Sequence, residues 1–245
     1  MSDRRQLHQS QQFYREFFSK SQALSADNRE RYEVVFALVD SLNLPPSVKV
    51  LDIGTGAGRI ARFLSQRFSD VISIDITSTV LMEKTRYEHR HLSFSLAALP
   101  HLPFPNNTFH LVICSEVLEH LQRGIQSQAI SEIGRIVVTG GKVVISTPNP
   151  DGFYEKARRF GALLKYGKPE RQGQLLENYV SPHLLQRILE KEFTIDEKRG
   201  SFYLFPPFNR LARKVPFLYG LSENIGRKGW FVSKGLYQYY LLNHK

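Results

Sequence analysis

Residues 49–64 read "KVLDIGTGAGRIARFL". An apolar run ends in closely spaced glycines and passes into an amphipathic segment with Ile60, Leu64 and Phe68 on one side. That is a strand, a tight turn and a helix, which together cradle a ligand at the helix N-terminus. Gly54, Gly56 and Gly58 fall at every second position. The dinucleotide fingerprint G-x-G-x-x-G would need glycine at 59, where this chain has Arg59. A ligand other than a dinucleotide is therefore open.

Downstream the pattern repeats. "DVISIDI" (70–76), "LSFSLA" (92–97), "FHLVICSE" (109–116) and "GGKVVISTPN" (140–149) read as further strands. Helical segments separate most of them, including "SQAISEIGRIV" before the last. "FTIDEKRG" (193–200) and "LYQYYLLN" (236–243) read as two closing strands. Strand–helix alternation with continuously apolar strands predicts an α/β fold, a doubly wound, mostly parallel sheet covered on both faces. Upstream, residues from Leu7 to Leu44 read as two helices. The second carries Val34, Val35, Leu38 and Leu42 on one face, with Asp27 as N-cap and Pro45 and Pro46 as its stop.

The chain has 245 residues, 42% of them hydrophobic, enough for one sizeable core. We expect a single domain over 1–245: N-terminal helices (1–46), a ligand-binding core (47–150) and a substrate-covering and C-terminal region (151–245). No apolar run approaches the ~20 residues of a membrane span, and the polar start lacks a signal core. Cys114 is the one cysteine, so no disulfide framework or zinc cluster is expected, and its apolar setting predicts a buried thiol. The expectation is a cytoplasmic protein with access to a membrane surface. The net charge of +10 is uneven: residues 151–245 hold 17 basic and 9 acidic side chains, leaving +2 for the first 150. Nucleic acid, an anionic membrane or an acidic substrate could meet that excess, or it is simply a solvated surface.

Asp75 ends the second strand about 20 residues after the glycines, the place of a ribose-binding carboxylate. The positive end of the helix serves a carboxylate as well as a phosphate. The ligand is then a nucleoside with a small anionic tail, and S-adenosylmethionine meets both requirements.

Here the chain resembles a family. "VLDIGTGAG", "VISIDI", "LPFPNNTFHLVICSEVLEHL" and "GGKVVISTPNP" come in the order and spacing of class I S-adenosylmethionine-dependent methyltransferases. The variant is the small-molecule and lipid type that includes the polyprenyl-quinone enzymes. The resemblance covers about Val48 to Pro150, with a weaker echo in "ENYVSPHLLQRILEKEFTI". It implies the Rossmann-like methyltransferase fold, a seven-stranded sheet with N-terminal helices and a helical insertion near the C-terminus. It implies that Asp52 and the backbone at Gly54, Gly56 and Gly58 hold the methionine part. Asp75 would hold the ribose and Ile76 would pack near the adenine. Ser115 and Glu116 would border the methyl group and the substrate pocket. Two departures stand out. The family often has Asp near the adenine amino group where this chain has Ala98, a contact that Ser95 or a backbone group would have to replace. It also tends to have Asp where His110 begins the fourth strand, which reads as a structural change.

Methyl transfer from a sulfonium asks for alignment in a dry pocket, worth about 7–11 kcal/mol of barrier. A hydroxyl acceptor also needs its proton taken. In "SEVLEHL", a helix beginning at Glu116 would put His120 four residues on, on the same face. His120 fits two roles there, proton removal or helix packing without substrate contact. Glu116, at the end of a central strand, is the candidate pocket residue, and Glu119 is expected to be solvated. No H-E-x-x-H, G-x-S-x-G or P-loop pattern occurs, so protease, hydrolase and NTPase readings have no support. The order after the fourth strand also lacks the Asn/Asp-Pro-Pro-aromatic tetrad of nucleic-acid amino methyltransferases, which argues against base methylation.

The acceptor region lies in the second half. The long connection 151–185 is expected to cover the active-site mouth, where Tyr154, Tyr179 and His183 either face substrate or pack. The stretch "SFYLFPPFNRLARKVPFLYGLSENIGRKGWFVSKG" (201–235) interleaves aromatic with basic residues. It suits an anionic lipid surface, a pocket for a prenyl or acyl chain, or a helical subdomain on the sheet edge. The expected activity is transfer of a methyl group to a small or lipid-like acceptor at a hydroxyl oxygen. The alternatives are a sugar, glycolipid or RNA acceptor, or an inactive methyltransferase-like binding protein.

Overall fold

The computed structural model describes residues 26–77, 91–153, 155–156, 160, 163–164, 178–201 and 229–245; side-chain placement within it starts at Arg31. The first expected N-terminal helix, Tyr154 and most of the aromatic, basic stretch 201–235 (residues 202–228) lie outside the described residues.

Helix α1 (Ala26–Ser41) leads into strand β1 (Lys49–Ile53), helix α2 (Arg59–Ser65), β2 (Asp70–Asp75), β3 (Leu92–Leu96) and β4 (Phe109–Ser115). A 3-10 turn (Leu118–His120), helix α3 (Ile125–Ile136) and β5 (Val137–Pro148) follow. The chain closes with helix α4 (Pro182–Leu189), β6 (Phe193–Ser201), a second 3-10 turn (Gly229–Lys234) and β7 (Tyr237–His244). The strands form a seven-stranded sheet in the order β3-β2-β1-β4-β5-β7-β6. Pairings from β3 through β5 are parallel; β7 runs antiparallel to both its neighbours, β5 and β6. The expected doubly wound, mostly parallel sheet is thus present, with a reversed strand inserted near one edge.

Strand alternation explains why both faces are covered. On β1, Val50 belongs to one core and Leu51 to the other; on β4, Leu111 and Ile113 face one side while Val112 and Cys114 face the other. Val35 and Leu38 of α1 and Ile60 and Leu64 of α2 fill the first face. Ile130 and Ile133 of α3 and Leu185 and Leu189 of α4 fill the second. Burying one such side chain contributes roughly 1.5–3 kcal/mol. Cys114 is fully buried, as expected, and burial pushes its thiol pKa up.

Two local expectations shift, and a third, the structural reading of His110, stands. Asp27 lies within α1 (Ala26–Ser41) rather than ahead of it as a cap. Helix α2 stops at Ser65, and Phe68 packs from the turn beyond it. His110 does have a structural role at the start of β4: its Nδ1 accepts the Lys49 backbone N–H at 3.2 Å.

Candidate active site

In an open α/β sheet the ligand crevice opens at the carboxyl ends of the strands, where the strand order reverses. Here the reversal lies between β1 and β4, the neighbours on either side of the sheet's switch. The ends of β1, β2, β4 and β5 bring together Gly54, Asp75, Ser115 with Glu116, and Pro148.

The glycine loop holds a conformation that side chains resist. Gly54, Gly56 and Gly58 have φ of 77°, 51° and 70°. At Gly54 a Cβ would also run into the Val117 side chain, so the loops after β1 and β4 touch only because position 54 has none. The Gly54 and Thr55 N–H groups donate to the Ile74 carbonyl at 2.8 and 3.0 Å, which pins the loop to β2. Asp75 finishes the turn. Its Oδ2 accepts the Gly56 N–H at 2.9 Å, and its Oδ1 accepts the Thr77 N–H at 2.9 Å and hydroxyl at 2.8 Å. Ile76, next in the chain, is half-buried.

Asp52, one residue before the end of β1, is 1% exposed. Its Oδ2 accepts the Ser73 hydroxyl at 3.3 Å, while its Oδ1 and the Thr55 hydroxyl oxygen are buried with no hydrogen-bond partner among the described residues. Burial pushes the Asp52 carboxyl up to about 7; the neighbouring hydroxyls of Thr55 and Ser73 pull the other way, and only Ser73 bonds to it. Orphaned buried oxygens cost about 1–3 kcal/mol each. Beside the glycine loop, whose Gly54, Thr55, Gly56 and Gly58 N–H groups are already paired within the fold, they fit a ligand that carries its own donors, such as the ammonium of a methionine moiety. The residues present therefore fit S-adenosylmethionine: Asp52, Thr55 and the glycine backbone at the amino-acid end, Asp75 at the ribose.

On the other side of the crevice, Ser115 sits opposite Ser146 of β5, their hydroxyls 2.8 Å apart. Glu116 has φ of 58°, a left-handed conformation that costs an ordinary residue about 1–2 kcal/mol. It is held there by its N–H to the Ser146 carbonyl at 3.0 Å, the Ser146 hydroxyl on Oε1 at 3.0 Å and Arg31 Nη1 on Oε2 at 3.0 Å. Arg31 also lies over the Tyr237 ring at 4.9 Å. Helix α1 is in this way tied to the tip of β4.

The expected helix from Glu116 through His120 is corrected. The left-handed Glu116 breaks it, and a short 3-10 turn begins only at Leu118, so Glu116 and His120 do not share a helical face. The expectation that Glu119 is solvated is also overturned: it is 2% exposed, and its carboxylate accepts the Thr147 hydroxyl at 3.1 Å. Leu118 and Glu119 take the inner side of the turn and His120 the outer one. His120 is exposed on the outer side of this turn; partial desolvation of its ring by the surrounding protein lowers the imidazole to about 4, so it is neutral at pH 7. Tyr179 is half-buried, and His183 is exposed in the first turn of α4.

The charge pattern of the N-terminal stretch does not distinguish Arg31 from its neighbours, and its reach to Glu116 was not legible. Asn149 was legible in principle, as an Asn between two prolines. It is 1% exposed, and its Nδ2 donates to the carbonyls of Ser233 and Gly235 at 2.9 and 2.8 Å. That pins the segment before β7 to the tip of β5. Among the described residues no group of three His, Cys, Asp or Glu side chains is placed to hold a metal.

Residues 51–145 match the model of the family described as "Methyltransferase domain". The chain is 28% identical over 190 residues to phosphoethanolamine N-methyltransferase 3 of Arabidopsis thaliana, covering 70% of this chain and 38% of that protein. It is 32% identical over 106 residues to a ubiquinone/menaquinone biosynthesis C-methyltransferase of Laribacter hongkongensis, covering 41% of this chain and 43% of that one. The chain spans about half or less of the length of the curated relatives it matches. Among solved structures, the N-methyltransferase NodS of Bradyrhizobium japonicum, in complex with S-adenosyl-L-homocysteine, superposes with a TM-score of 0.61 at 15% identity. That match covers 96% of this chain and 97% of NodS, and it shows a shared fold.

Proposed function

We propose, from the premise that residues 51–145 are a methyltransferase domain of the S-adenosylmethionine-dependent class, that this chain methylates a small or lipid-like acceptor. The observation that carries the proposal is the cradle itself: three left-handed glycines, Asp75 bonded into their loop, and the orphaned oxygens of Asp52 and Thr55. When bound, S-adenosylmethionine supplies a methyl group already activated by a sulfonium. The chain's own residues then bind, orient and exclude water, with no protein nucleophile required.

Under this proposal the cofactor contacts are those of Asp52, Gly54, Gly56, Gly58, Asp75, Ile76 and Ser115, with Glu116 and His120 toward the acceptor. Glu116 is oriented by Arg31 and Ser146, so it presents a fixed carboxylate at the rim. His120, neutral at pH 7, can accept a hydrogen bond or a proton. We take a hydroxyl oxygen as the acceptor atom and the 151–245 region as the acceptor cover. The same reading treats the chain as one domain, supported by β6 and β7 joining the common sheet. A second reading has one observation behind it: similarity to an amine N-methyltransferase extends over 190 residues, past the cofactor core, which favours an amine acceptor.

The test is a radiolabelled methyl-transfer screen over lipid, small-molecule, sugar and RNA fractions of the source cell. Label is expected in the lipid or small-molecule fraction, in a product whose mass and fragmentation place the methyl on oxygen. Label confined to RNA would overturn the acceptor class, and a methyl on nitrogen would favour the second reading.

A further inference from the structure

Pro148 ends β5 at the same edge of the sheet as the glycine loop. The chain leaves that edge through a fixed base. Asn149 holds the carbonyls of Ser233 and Gly235, and Gly152 packs so closely on the Gly235 carbonyl that no side chain fits between them. Beyond this base the described residues 153, 155–156, 160 and 163–164 are helical. Their apolar side chains face outward: Phe153 is 38% exposed, Phe160 62%, Leu163 47% and Leu164 72%. In the sequence, positions 153, 160 and 164 are spaced by seven and four. Glu155, by contrast, is 8% exposed. Among the described residues, three exposed large apolar side chains, Phe160, Leu163 and Leu164, therefore lie within five residues of each other, an arrangement that marks an interaction site.

The charges on this segment select the partner. From 153 to 168 the sequence holds five basic residues and one acidic residue, the buried Glu155. Exposed Phe and Leu among Lys and Arg is the composition of a helix that lies in the plane of an anionic bilayer, apolar side down and basic side chains at the headgroups. A second copy of this chain would bring the same basic surface against itself, which repels. Among the described residues no helix is long and apolar enough to cross a membrane, so the contact is peripheral. We propose that the segment from Phe153 to Leu164 seats this chain on an anionic lipid surface, at the edge of the sheet that carries the glycine cradle. Delivery of a lipid-like acceptor to that edge rests on the methyltransferase reading; the membrane contact does not.

The test is co-sedimentation of the full chain with phosphatidylcholine vesicles, with and without a minor fraction of phosphatidylglycerol. The chain is expected to pellet with the anionic vesicles, less so at high salt, and little with pure phosphatidylcholine. The triple variant Phe160→Ser/Leu163→Ser/Leu164→Ser removes only exposed side chains. It should partition about tenfold or more weakly while keeping its far-UV circular dichroism. Lys156→Glu should weaken binding to anionic vesicles alone. Failure of the wild-type chain to pellet, or undiminished pelleting of the triple variant, overturns the proposal. So does a wild-type dimer in solution that the triple variant abolishes, since a second copy would then be the occupant. Calorimetry with S-adenosylmethionine on the same preparation keeps this outcome separate from the methyltransferase reading.

Discussion

Gly54→Ala tests the joint between the two loops of the crevice. At φ of 77° a Cβ costs roughly 1–2 kcal/mol in backbone strain. It also drives into the Cγ2 methyl of Val117, an overpacking that costs about 1–3 kcal/mol. Together the substitution should destabilise the protein by about 2–5 kcal/mol. Val117→Ala alone removes two methyls from a partly buried side chain and should cost about 1 kcal/mol. In the double variant the clash has gone and only the strain at 54 remains. The two changes should then be coupled, the pair being about 1–3 kcal/mol more stable than the sum of the singles. Urea unfolding of the four proteins measures this, provided the slope with denaturant is common to all. Additive effects would refute the reasoning, because they would mean that the loop after β1 and Val117 do not meet.

Asp75→Ala removes the acceptor of the Gly56 and Thr77 N–H groups and the proposed ribose contact; S-adenosylmethionine affinity should fall about a hundredfold or more, read by calorimetry. The Asp52 carboxyl titrates at about 7 in the folded chain against 3.8 as its ordinary value. The folded state therefore binds more protons between pH 4 and 7, so stability contributed by this group falls as pH rises through that window, by up to about 4 kcal/mol. Asp52→Asn should remove that part of the slope in urea unfolding at a series of pH values. Arg31→Met and Glu116→Gln should couple by about 1 kcal/mol in a double-mutant cycle, since the pair is only partly buried.

Much of the fold could be read from the sequence because it rests on apolar alternation. The strand runs from Lys49 to Asn149 stand where the pattern puts them, and so do the two closing strands. The glycine loop was legible because its residues are constrained by backbone conformation, a local property. What escaped reading depends on contacts between distant parts of the chain. Glu116 adopts a left-handed backbone because Ser146 and Arg31 hold it, 30 and 85 residues away. No pattern within "SEVLEHL" announces that, and a helix drawn through the motif misplaces both His120 and Glu119. Glu119 is buried because Thr147 supplies a hydroxyl inside the fold. The ties from Asn149 to Ser233 and Gly235 are equally non-local.

The central claim is that the crevice at the ends of β1, β2 and β4 binds S-adenosylmethionine. Isothermal titration calorimetry of the full chain with S-adenosylmethionine and with S-adenosyl-L-homocysteine tests it directly. One molecule of each is expected to bind per chain, with binding lost or greatly weakened in Asp75→Ala. No heat of binding at cofactor concentrations up to the millimolar range would contradict the account.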